Sequence, residues 1–163
     1  MNAPMSRQQA LNRIWKRLLL VLCFSMGLCA IFFFPYEGDG RVGVLVFLIG
    51  NIGGYVGVHR GLRDLQDAEI VELAASWWAI IVPSFVGGVL ALVLYLLFLS
   101  DIFGGGLFPQ FKPNEGARSG IYSLVDQKAN GLTEHAKLFF WSFVAGFNQK
   151  YVVGIIESVK AKP

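Results

Sequence analysis

The residues able to do chemistry are few and scattered. His59 and His135 lie far apart, each at the boundary of an apolar run, and no ligand-spaced cluster of His, Cys and carboxylates accompanies either, so a metal centre is not expected. Cys23 and Cys29 are six residues apart in one apolar run, which puts them on different faces of a helix; they read as apolar fillers. No GxSxG, HExxH, Walker-type or Rossmann-type sequence occurs, and the run Gly104, Gly105, Gly106 lacks the Lys-Ser/Thr of a phosphate loop. The expectation is no catalytic residue, no metal and no cofactor. The polar groups that stand out are those in apolar surroundings: Asn51, and the trio Asn148, Gln149 and Lys150. An amide in hydrocarbon must find a partner, usually on another helix, so Asn51 is read as structural glue or as a pore-lining group. Lys150 can snorkel to an interface, with Asn148 and Gln149 satisfied at the same wet end; around an oligomer axis the trio would instead form a polar ring.

The elements that must carry these groups are dissolved in lipid. Of 163 residues, 55% are apolar and 15% charged, against about 45–50% and 25% in a soluble domain. A helix crossing the bilayer core needs roughly 17–25 apolar residues. Leu18–Pro35, Val42–Val58 and Trp77–Leu99 meet that need without a charge, and Leu138–Ile156 is expected to be a fourth span despite its polar middle. The fold expected is therefore an all-α integral membrane protein with one transmembrane domain over 1–163: spans at 18–35, 42–58, 77–99 and 138–156, and loops at 59–76 and 100–137. A three-span chain in which Leu138–Phe147 only dips into the membrane is the rival. The first span, with its basic flank, exceeds the usual ~7–15 apolar residues of a cleaved signal and ends in Phe32, Phe33, Phe34 and Pro35, so a retained anchor is expected. Ile102–Phe111 is too short to cross and contains glycines and Pro109; a re-entrant or interfacial turn is expected. Ile121, Tyr122, Leu124 and Val125 fit one face of a short amphipathic helix after Ser119.

Orientation follows the bias of Lys and Arg in short loops. Arg7, Arg13, Lys16 and Arg17 precede the first span with no acidic residue among them, which places the N-terminus in the cytoplasm. Four spans then bring the 59–76 loop and the tail with Lys160 and Lys162 to the same side. Trp15, Tyr36, Trp77 and Trp78 fall at the interfaces, where amphipathic rings are favoured.

Two patterns bear on assembly. Gly50, Gly53, Gly54 and Gly57 form a stripe on the second span, with Ser84, Gly87 and Gly88 as a notch on the third. Missing side chains permit close backbone approach, whether to a second copy of the chain or to a helix of the same chain. In the 59–76 loop, Leu62, Leu65, Ile70 and Leu73 are apolar anchors of a short helix on the membrane surface, while Asp64, Asp67, Glu69 and Glu72 could form an acidic docking patch for a soluble partner. No Asp, Glu or His lies inside the first three spans, which argues against an ion-coupled transporter.

The stretches YLLFLSDIFGGGLFP (95–109) and AKLFFWSFVAGFNQKYV (136–152) resemble segments of small bacterial multi-span membrane proteins, in which a glycine-rich LFP-type turn closes a span and a W-x-F-x-A-G-F segment follows. The resemblance covers about the last two fifths of the chain. Where such relatives often continue Ser-Glu-Arg-Phe, this chain has Asn148, Gln149, Lys150 and Tyr151. It implies a multi-pass bacterial inner-membrane protein, of the kind that includes membrane subunits of anti-phage systems such as Kiwa. The functional expectation is a non-enzymatic oligomeric membrane subunit that anchors or signals to a cytosolic partner. A small homo-oligomeric ion channel or membrane-permeabilising effector is the alternative, and a lipid-modifying enzyme using His135 ranks last. Partners expected are membrane lipids, further copies of the chain and a cytosolic protein, with no direct nucleic-acid binding.

Overall fold

The computed structural model describes residues 6–33, 42–62, 65–100, 102–103, 105–112, 128–129 and 131–149. The chain is mostly helical: α1 (Arg7–Phe33), α2 (Val42–Gly61), α3 (Asp67–Ala75), α4 (Trp78–Leu99) and α5 (Leu132–Phe147), with a two-residue ribbon of β1 (Phe111–Lys112) and β2 (Lys128–Ala129) before α5. The ribbon is antiparallel, pairing Phe111 with Ala129 and Lys112 with Lys128. Three helices, α1, α2 and α4, are long and apolar enough to cross a membrane.

α2 and α4 keep the ends expected from their uncharged runs to within a few residues. α1 does not. It starts at Arg7, well before Leu18, because Ala10, Ile14 and Leu18 repeat at helical spacing and are all fully buried. They pack with Tyr55, Leu62, Ile70, Ala74 and Ile80, so the N-terminal turns of α1 are held by α2 and α3. The C-terminal half of α1 is looser, with Phe24 and Ile31 each 65% exposed. α3 is set at its start by Glu69, whose carboxylate accepts the Gln66 backbone N–H at 2.8 Å. Ile70 and Ala74 are buried against α1, while Leu65 and Leu73 are half-buried.

α2, α4 and α5 form the core. α5 begins at Leu132, six residues before the expected span, and its last described turns end at Gln149; 150–156 lie outside the described residues. Its N-terminal end meets the C-terminal end of α4, where Trp141 approaches Phe98, and its C-terminal end meets the opposite end of α4, where Gln149 reaches Pro83. α5 is therefore antiparallel to α4 and parallel to α2.

The described residues of 102–111, 102–103 and 105–111, pack over the α4–α5 end. Phe108 stacks on Trp141 with ring centroids 5.3 Å apart, and Phe103 and Phe108 both pack on Phe98. The Trp141 indole donates to the Leu107 carbonyl at 3.1 Å. Pro109 is buried beneath the turn. The helix expected around Ile121–Val125 lies outside the described residues.

Candidate functional site

Small residues dominate the meeting point of α2, α4 and α5. A Cβ placed on Gly50 would collide with Ala91 and lie 2.7 Å from the Gly87 carbonyl oxygen. One on Gly54 would lie 2.9 Å from both the Pro83 carbonyl oxygen and the Ser84 Cα. Gly53 and Gly57 face α5 instead: a Cβ on Gly53 would strike the Phe143 carbonyl, and one on Gly57 would lie 2.9 Å from that of Phe147. Gly146 completes the junction from α5, abutting the Gly50 carbonyl so closely that any side chain would overlap it. Gly88 is covered by Phe47. The stripe is thus consumed inside the chain by two helices at once. Neither a second copy nor a bulky side chain has room there. Gly146 carries as much of this contact as the α2 stripe, and only the AGF of 145–147 hinted at it in the sequence.

Pro83 sits within α4 and has no N–H to give the preceding turn. The Gln149 amide nitrogen donates to the Pro83 carbonyl oxygen at 2.8 Å, tying the end of α5 to this turn. Asn148 is exposed, and its backbone N–H closes α5 on the Val144 carbonyl at 2.9 Å. Gln149 is therefore turned toward the α4 backbone within the chain. Lys150 lies outside the described residues.

Asn51 has not found the partner that its depth demands. Its Oδ1 is buried without a hydrogen bond, and so is the Ser84 Oγ; Ser84 is 1% exposed. Both line a cleft of about 430 Å³ between α1, α2 and α4, walled by apolar side chains apart from these two and Ser25.

The end of the bundle that gathers the α1 N-terminus, α3 and the C-terminus of α2 is charged and aromatic. Arg7 pairs with Asp67 at 2.9 Å in the open, where such a pair is worth little. Arg17 donates to the Ala74 carbonyl at 3.0 Å and lies 4.7 Å over the Trp77 ring centroid. Trp15 and His59 meet edge to face at 4.5 Å, and Arg60 lies 5.7 Å over Phe147. Of the expected acidic patch, Asp67 is engaged with Arg7 and Glu69 with the start of α3. Asp64 and the Glu72 side chain lie outside what is described. The surface here mixes both signs, since Arg13 and Lys16 are exposed beside it.

At the other end, Glu134 holds the closing turn. One carboxylate oxygen accepts the Gln110 backbone N–H at 2.8 Å and the other accepts Lys137 Nζ at 2.8 Å. These bonds, first that from Lys137 and then that from Gln110, hold the Glu134 carboxyl below its ordinary range. The His135 ring nitrogen contacts the Gly131 carbonyl oxygen at 2.9 Å on the surface. Among the described residues, no three His, Cys, Asp or Glu side chains come together as a metal-binding group.

No protein-family model, curated protein or solved structure matches this chain.

Proposed function

We propose that this chain is a four-span subunit of a bacterial inner membrane, with both termini in the cytoplasm, that serves as a non-enzymatic anchor for a cytosolic partner. The observation that carries the reading is the ledge built by the start of α1 together with α3. α1 has 27 residues, about 40 Å of helix, against a hydrocarbon core of about 30 Å. Its surplus is the polar segment from Arg7 to Arg17, and this segment is fastened to α3 by Ile14, Ile70, Ala74 and the Arg17–Ala74 bond. The result is an ordered layer outside the lipid on the side that the basic residues assign to the cytoplasm. Its outward residues, among them Ala68 and Ala75, are exposed.

The fourth span rests on the course of α5. Its N-terminal part lies by the Phe98 end of α4 and its C-terminal part by the Pro83 end, so it runs alongside α4 within the bundle. Self-association uses the outer faces of α1 and α4, where Ile31, Val89 and Leu96 are exposed, because the glycine stripe is already filled. The inward turn of Gln149 favours the anchor over a pore lined by Asn148, Gln149 and Lys150.

The test is affinity purification of the full chain from native membranes in a gentle detergent. A discrete oligomer with a co-purifying soluble protein is expected. The double variant Ala68→Arg, Ala75→Arg should lose that protein while remaining folded in the membrane. A monomer that retains no partner, or a variant that retains it fully, overturns the reading. Ion conductance in planar bilayers by the purified chain alone would favour the channel.

A further inference from the structure

The cleft between α1, α2 and α4 has the makings of a ligand site. At about 430 Å³ it lies within the range of small-molecule pockets, about 300–1,000 Å³, which are mostly apolar with a few converging polar groups. Its walls are Leu20 and Phe24 of α1, Phe47 and Leu48 of α2, and Ile81 and Phe85 of α4. Phe24 and Phe85 are more than half exposed, so the cleft opens sideways, toward lipid rather than water.

The polar groups in this cleft lie at one depth. Ser25 is eight residues along α1 from Arg17, and Ser84 seven along α4 from Trp77, so both lie about 10–12 Å beyond the Arg17–Trp77 level. Asn51 is eight residues before His59 on α2, at a matching distance from the same end. All three line the cleft. Asn51 Oδ1 and Ser84 Oγ are buried, and neither bonds to the other or to any other described group. A helical serine normally returns its hydroxyl to the carbonyl one turn back, as Ser142 does to Leu138 at 2.7 Å. Ser84 does not. Leaving both groups unpaired costs the folded chain their desolvation, and a carboxamide acceptor beside a free hydroxyl can be satisfied together by one guest O–H, which donates to Asn51 and accepts from Ser84.

We propose that this cleft binds a membrane-dissolved, single-chain apolar molecule bearing one hydroxyl, a long-chain alcohol in chemical class, with its O–H between Asn51 and Ser84 and its chain against Phe24, Phe47 and Phe85. The site needs the helices to lie in a bilayer. It does not depend on the anchoring role, so it survives if no cytosolic partner is found.

The experiment uses the purified full chain in nanodiscs with a diazirine-bearing hexadecanol, crosslinked and mapped by mass spectrometry. Labels are expected on the cleft-facing peptides of α1 and α4, and unlabelled hexadecanol should compete about fivefold to thirtyfold better than hexadecane, the margin of two net hydrogen bonds. Ser84→Ala and Asn51→Leu should each cut that margin to about twofold to fivefold, and the double variant should erase it, while hexadecane competition persists. Because Ser84→Ala removes a hydroxyl with no partner, the thermal midpoint of the unliganded variant should not fall. Equal competition by alcohol and alkane, labelling elsewhere, equal competition by a two-chain phosphatidylcholine, or a Ser84→Ala variant that loses stability would each overturn the proposal.

Discussion

Glycines that look alike in the sequence differ sharply in what surrounds them. Gly146 abuts the Gly50 backbone, whereas a Cβ on Gly27, in the C-terminal half of α1, would meet nothing within 4 Å. Gly146→Val should destabilise the bundle by about 1–3 kcal/mol or more, because the α2 and α5 backbones must separate to admit it. Gly27→Ala should stabilise it by about 0.5–1 kcal/mol through reduced backbone freedom in the unfolded chain. Thermal unfolding in one detergent reads both. Arg17 and Arg13 make a second contrast. Arg17→Ala gives up a charged hydrogen bond to α3 and a place over Trp77, and should cost about 1–3 kcal/mol. Arg13→Ala, on the exposed face, should fall within about 0.5 kcal/mol of the parent.

At the scale of elements, the turn that closes α4 onto α5 depends on an ionised carboxylate. Since the Glu134 carboxyl is held below its ordinary value in the folded chain, its contribution is present above the unfolded value and is lost as pH falls through the lower, folded one. Acidification should therefore lower the protection of the Gln110 amide, measured as its exchange rate relative to the intrinsic rate at each pH, and loosen Phe108 from Trp141 before the helices unfold. In Glu134→Gln the Gln110 protection should be lower at neutral pH and should no longer change with acid. α2 and α4 were readable from the sequence because a run of apolar residues without charge is both their cause and their signature. The start of α1 was not, because the turns from Arg7 to Arg17 are stabilised by burying Ala10 and Ile14 against a helix more than fifty residues away. The aromatic closure was hidden for the same reason: Phe98, Phe108 and Trp141 meet only after the chain has folded back. The glycine stripe announced a close contact and left its partner open. The Gln149–Pro83 bond had no sequence signal.

For the whole molecule, sidedness is the property on which the anchoring role stands. With Cys23 and Cys29 replaced by alanine, a cysteine at Gln9 should react with a membrane-impermeant maleimide only after cells are opened, while one at the exposed Leu107 should react in intact cells. The reverse pattern would turn the α1–α3 ledge away from the cytosol. The Gly50–Gly146 contact has a mechanical corollary. Two helices whose main chains touch, with Gly87 of α4 seated against Gly54 of the one and Gly146 of the other, can neither rotate nor slide without a collision, so α2, α4 and α5 behave as one keyed block. α1 stands outside that block and is gripped chiefly through Ala10, Ile14 and Leu18, so a pull on the ledge would be felt first along α1, like a clapper on a fixed bell.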